Sequence, residues 1–157
     1  MEHTMGIKPE NLSKAAAQLN IFLADEFLVY TKTNNAHWNT EGRDFYEKHK
    51  FYEMQFEELD KIIDDLAERI RTLSHYAVAT LKRFLQLTHL SEAPEEMNDS
   101  MGFVKELLAD HESIIIHFRE NIGRFANEFD DQGTSDFITG ILERHEKMAW
   151  MLREQLK

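Results

Sequence analysis

The chain has 157 residues and sets 29 acidic side chains against 18 basic ones, a net charge of −11, so it repels nucleic acid unless a local basic segment intervenes, and it attracts cations. Hydrophobic residues make up 42%, which excludes a disordered chain, while six glycines and two prolines are too few for the turns of an all-β domain. The lack of cysteine excludes disulfides and thiolate metal ligands and suits a reducing compartment.

A short tail, about residues 1–8, precedes Pro9 and has no apolar stretch of the kind a signal peptide needs. No apolar run approaches the roughly 18 residues of a membrane span. A single domain in the cytoplasm, without a membrane partner, is expected.

From about Pro9 to Trp38, Leu19, Phe22, Leu23, Phe27 and Tyr30 recur at helical spacing, with proline suited to the first turn and His37 on the same stripe. A second pattern, about Asp44 to Leu73, carries Phe45, Tyr52, Phe56, Leu59, Ile62, Ile63, Leu66, Ile70 and Leu73. The third, about Ser100 to Phe125, carries Met101, Val104, Leu108, Ile115, Phe118, Ile122 and Phe125. The fourth follows Thr134 or Ser135 as N-cap and carries Ile138, Ile141, Leu142, Met148, Leu152 and Leu156. The first two patterns meet at "NTEGR" and the last two at "NEFDDQG", connections short enough for antiparallel neighbours. The long link from Ser74 to Asp99 contains "TLKRFLQL", a short helix of its own. Two helix pairs joined by one long crossover predict an all-α, ferritin-like four-helix bundle, with the extra helix between the second and third.

Gly42 marks the first turn. His37 lies five residues before it and His49 seven after, which puts the two imidazoles at similar heights on antiparallel helices. His49 and Glu53 share a helix face, as do Asp64 and Glu68. Measured from Leu59, these four fall at roughly 80°, 120°, 140° and 180°, outside the core stripe. Glu53 and Asp64 are about 16 Å apart along the axis, too far for one metal centre. A second copy of the helix, antiparallel across a two-fold axis, would bring His49 and Glu53 of one chain against Asp64 and Glu68 of the other. The spacing alone admits a shared metal site of imidazole and carboxylate, suited to iron, manganese or zinc, or a polar dimer interface. The Glu-x-x-His pair of bundles that hold two irons within one chain is absent.

At these residues the chain resembles the Dps family, mini-ferritins named as DNA-binding proteins from starved cells. The resemblance is carried by "HWNTEGRDFYEKHKFYE", "DDLAERI" and "HEKMAWML" and covers nearly the whole chain. The family's ligand order is histidine, twelve on to histidine, four on to an acid, eleven on to aspartate and four on to glutamate. It falls here on His37, His49, Glu53, Asp64 and Glu68. Glu53 stands where aspartate is common, a longer arm with the same donor atom. The resemblance implies a dodecameric shell with ferroxidase centres at its two-fold interfaces. It also implies oxidation of Fe(II) by hydrogen peroxide, or by oxygen, and storage of the Fe(III) mineral. Zinc and manganese are the expected competitors.

The resemblance further implies cation pores near the last turn, where Glu128, Asp130, Asp131 and Asp136 cluster; a solvated loop, with Asp136 at the positive end of the last helix, explains the same residues. His145 reads as a hydrogen-bonded core residue, Asp65 as solvated or salt-bridged, and Trp38 and Trp150 as interface residues. His75, His89, His111 and His117 show no ligand spacing. Family members that bind DNA often use a lysine-rich tail; here Lys8 is the only lysine before Pro9. A nucleoid-associated DNA-protecting protein and a shell with a vestigial metal site are the competing readings.

Overall fold

The computed structural model describes residues 5–93 and 99–157. They form α1 (Pro9–Asn39), α2 (Phe45–Thr72), α3 (Leu81–Leu87), α4 (Ser100–Asn127) and α5 (Gln132–Glu154), with no strand among the described residues. Pro9 opens α1, where a missing backbone N–H costs nothing. The turn after α1 needs Gly42, whose φ of 117° is hostile to a side chain. Thr80 caps α3 by accepting from the Arg83 N–H, and Asp99 caps α4 by accepting from Gly102 N–H.

The start of α5 differs from expectation. Asp131, not Thr134 or Ser135, is its N-cap, and the Asp131 carboxylate accepts from Thr134 N–H at 2.9 Å. Arg69 of α2 donates to both Asp131 and Thr134, fixing this choice from a distant helix. Asp136 consequently lies beyond the first turn of α5, and the favourable charge at the positive helix end belongs to Asp131.

α1 packs along α2 and α4 along α5; α1 also meets α4, α2 touches α5, and α3 lies on α1. Leu19, Phe22, Leu66, Ile70, Phe118 and Phe125 are wholly enclosed, and the Phe22 ring sits 4.3 Å from that of Phe118. Two expected core residues, Phe45 and Met101, are exposed because each stands in the first turn of its helix, outside the packed length. On α4 the core runs through Phe103, Val104, Leu107, Ile114, Phe118 and Phe125, with Leu108, Ile115 and Ile122 at its edge.

Polar groups of α1 hold the crossover. Asn20 accepts from Val78 N–H and donates to Tyr76 O; Lys32 donates to Ser91 O at 2.9 Å. Lys32 is 4% exposed and pairs with Asp110 at 2.6 Å and Glu106 at 2.8 Å, tying the crossover to α1 and α4 together.

Candidate metal centre

The turn around Gly42 lays the end of α1 beside the start of α2, and the histidines from the two sides stack there. The rings of His37 and His49 are 3.7 Å apart and inclined by 18°. His37 Nδ1 donates to His49 O at 2.7 Å, and His49 Nδ1 donates to His37 O at 2.8 Å. A carbonyl can only accept, so both Nδ1 atoms carry the proton and both neutral rings keep their lone pair on Nε2. This is the tautomer a metal-binding imidazole needs, fixed before any metal arrives. Phe56 meets His37 edge-on at 5.0 Å and Phe45 lies over His49 at 5.2 Å, so the pair has little freedom to turn.

Glu53 follows one turn along α2. Lys50 donates to its Oε2 at 2.7 Å, and this bond, with the Lys50 charge, holds its carboxyl below the usual glutamate range. Glu53 is therefore an anion at neutral pH with Oε1 outside the Lys50 bond. Asp64 and Glu68 stand exposed farther along α2, and among the described residues neither has a hydrogen-bond or ion-pair partner within the chain. The five residues do not converge within one subunit.

Asp65 pairs with Arg144 at 3.1 Å, as a salt-bridged residue should. Trp38 and Trp150 are 70% and 54% exposed, large apolar areas for a lone subunit to leave open. At the α4–α5 turn, Asp131 is buried by its capping role, Glu128 pairs with Arg124, Asp136 accepts from Gln132, and Asp130 is exposed with a φ of 59°.

The bundle interior holds two further groups. His145 is a hydrogen-bonded core residue: its Nε2 donates to Glu26 at 2.7 Å and its Nδ1 shares a proton with Nδ1 of His111 at 2.8 Å. Burial, then the His145 charge, hold the His111 imidazole well below the usual histidine range. The second group brings together His89 and His117, which stand at no ligand spacing in the sequence. These two residues, from the crossover and α4, meet Asp25 of α1, with one ligand atom from each lying within 4.8 Å of the others. No spacing signals this group, because its members sit on three separate elements.

A family model for the ferritin-like domain matches residues 16–157. An uncharacterised low-temperature-induced protein of Nostoc is 40% identical over 95% of this chain and 83% of its own length. A "DNA protection during starvation protein 2" of Bacillus anthracis is 34% identical over 86% of this chain and 91% of its own. Among solved structures, a Dps protein from Vibrio cholerae, described as one of the ferritin-like diiron-carboxylate proteins, superposes with a TM-score of 0.92 at 30% identity, over 99% of this chain and 96% of that one. With the ferritin-like bundle and the histidine pair already in place, these matches assign the chain to the Dps family of mini-ferritins.

Proposed function

We propose that this protein is a ferroxidase that oxidises Fe(II) at centres shared between two copies of the chain and stores the Fe(III) mineral inside a dodecameric shell in the cytoplasm. The observation that carries the reading is the reciprocal locking of His37 and His49. It leaves two Nε2 ligand atoms outside the hydrogen bonds that hold the rings, with Glu53 one turn beyond His49 on α2, while Asp64 and Glu68 remain unpartnered on the same helix. A two-fold partner would supply the missing carboxylates, since the axial distance of about 16 Å prevents one chain from doing so. The exposed Trp38, Phe45 and Tyr46 around the turn fit a surface that a second subunit covers.

In this reading iron is the substrate. Two ferrous ions each give up one electron; one hydrogen peroxide takes both with two protons and leaves as two waters. Taking both electrons together avoids the hydroxyl radical that a single electron would release. The imidazole and carboxylate donors bind Fe(II), and the negative charge of the carboxylates favours the Fe(III) product. Oxygen is the alternative oxidant, and zinc and manganese compete for the same donors. Asp136 and Asp130, with Glu128, would frame a cation entrance, while Asp131 acts there through the cap it forms.

The printed name of one relative favours a second reading, protection of DNA by binding it. A net charge of −11 weighs against that role. The deciding experiment is anaerobic titration with Fe(II), followed by hydrogen peroxide or oxygen in separate runs while Fe(III) absorbance is recorded. The proposal expects saturable Fe(II) binding and fast oxidation, faster with peroxide. Oxidation no faster than in protein-free buffer would reject it.

A further inference from the structure

We propose that Asp25, His89 and His117 form a second metal site, within each subunit, which binds a divalent transition-metal ion and pins the crossover to the bundle. The site is separate from the histidine pair at the Gly42 turn and draws on α1, the segment after α3, and α4.

Asp25 is wholly buried, and its Oδ2 makes no aligned hydrogen bond; the buried Nδ1 of His117 has no partner either. An unpartnered carboxylate oxygen in a protein interior costs a full desolvation penalty, so such an atom calls for an explanation. His89 Nδ1 approaches Asp25 Oδ2 to 2.7 Å and His117 Nδ1 approaches it to 3.5 Å. The first contact is short yet lacks hydrogen-bond alignment. Three ligand atoms that crowd together without bonding to one another are placed to share something between them. Around an ion with bonds of roughly 2.0–2.1 Å, tetrahedral ligand atoms stand about 3.3 Å apart, so small side-chain rotations suffice.

The surrounding groups orient the ligands. The other oxygen of Asp25, Oδ1, accepts from Thr88 Oγ1 at 2.7 Å and from His89 N–H at 3.0 Å, which fixes the carboxylate with Oδ2 turned away from those donors. His89 Nε2 lies 3.4 Å from Ser113 Oγ, a partner for a proton on Nε2 that leaves the Nδ1 lone pair for the ion. Two imidazoles and one carboxylate suit zinc or ferrous iron, with a coordination position left for water. His89 is exposed, and with Ser113, Ile116, His117 and Glu120 it lines an opening to solvent, so an ion has a path in. His89 follows Thr88, the C-cap of α3, so a bound ion would tie this end of the crossover to α1 and α4.

The test uses the full chain, stripped with a chelator, in a His49→Ala background so that the Gly42-turn histidines do not compete. Zn²⁺ alone is the probe. Calorimetric titration should show one zinc per subunit that disappears in His49→Ala/His89→Ala, a change at an exposed residue that leaves the core intact. Thr88→Val, which touches no ligand atom, should weaken zinc binding by about 10–100-fold. Hydrogen exchange gives the independent readout: Zn²⁺ should slow the amides of residues 88–93 in the parent and leave them unchanged without His89. Equal zinc stoichiometry and affinity with and without His89 would overturn the proposal and leave Asp25–His89 as a plain ion pair. Zinc binding that leaves residues 88–93 unprotected would overturn it as well.

Discussion

At the residue scale, the protein repeatedly sets histidine tautomers with fixed acceptors. His37 and His49 use each other's backbone carbonyls for this, so neither needs a carboxylate partner that iron would have to displace. His145 uses Glu26, and the outcome for its neighbour is different. His111 sits wholly inside the bundle, its Nε2 has no partner, and its imidazole stays neutral. The unfolded chain takes up a proton at this residue near pH 6.5, and the folded chain does so only well below. Protons then favour unfolding: this group's contribution is intact above about pH 6.5 and falls by about 1.4 kcal/mol per pH unit below it, until the lowered folded value is reached. His111→Asn keeps an amide beside His145 but does not titrate. Its melting temperature should fall less than that of the wild type between about pH 7 and pH 5. Parallel curves for the two proteins would show that His111 is not the group responsible.

At the element scale, buried polar groups hold the crossover alongside the apolar packing of Val78, Phe84, Leu87 and Leu90. Lys32 reaches Ser91 O, Asp110 and Glu106 at once, and burial pushes the Asp110 carboxyl up despite the lysine. Removing the ammonium strands a buried anion, so Lys32→Met should cost about 3–5 kcal/mol in chemical denaturation. Adding Asp110→Leu should restore much of that loss. A Lys32→Met protein as stable as the wild type would show that the cluster is solvated and contributes little. The extent to which the chain's elements are legible from sequence follows the same physics. The four long helices declare themselves through periodic apolar stripes and two short turns. The core face of α4 is harder to read, because Ile114, Ile115 and Ile116 point in three successive directions and only the neighbouring helices select Ile114. The start of α5 is ambiguous because Asp131, Thr134 and Ser135 are all capable caps, and Arg69 decides among them from α2. His37 and His49 are legible because they flank one turn. Asp25, His89 and His117 are not, because the path of the crossover brings them together.

At the scale of the whole molecule, charge and assembly govern behaviour. If Asp136 and its neighbours converge at an entrance, Asp136→Asn should slow iron uptake by intact shells, most at low ionic strength where screening is weak. Because Asp136 lies beyond the first turn of α5, the helix end should be little affected. Unchanged stopped-flow rates at low iron and low salt would place entry elsewhere. The charge of −11 per chain likewise predicts weak or absent DNA binding at physiological salt. A tight, salt-sensitive gel shift without added divalent metal would contradict that.

The central claim is that each ferroxidase centre takes its histidines from one chain and its distal carboxylates from another. Co-assembly of His49→Ala and Asp64→Asn subunits tests it most directly. Each variant alone breaks every centre. In a mixed pair, one centre collects both lesions and the other unites the two intact halves. Random mixing makes half of the pairs mixed, so about a quarter of wild-type peroxide-driven Fe(II) oxidation should return. Mixed shells, verified as assembled, that never exceed either parent would contradict the account.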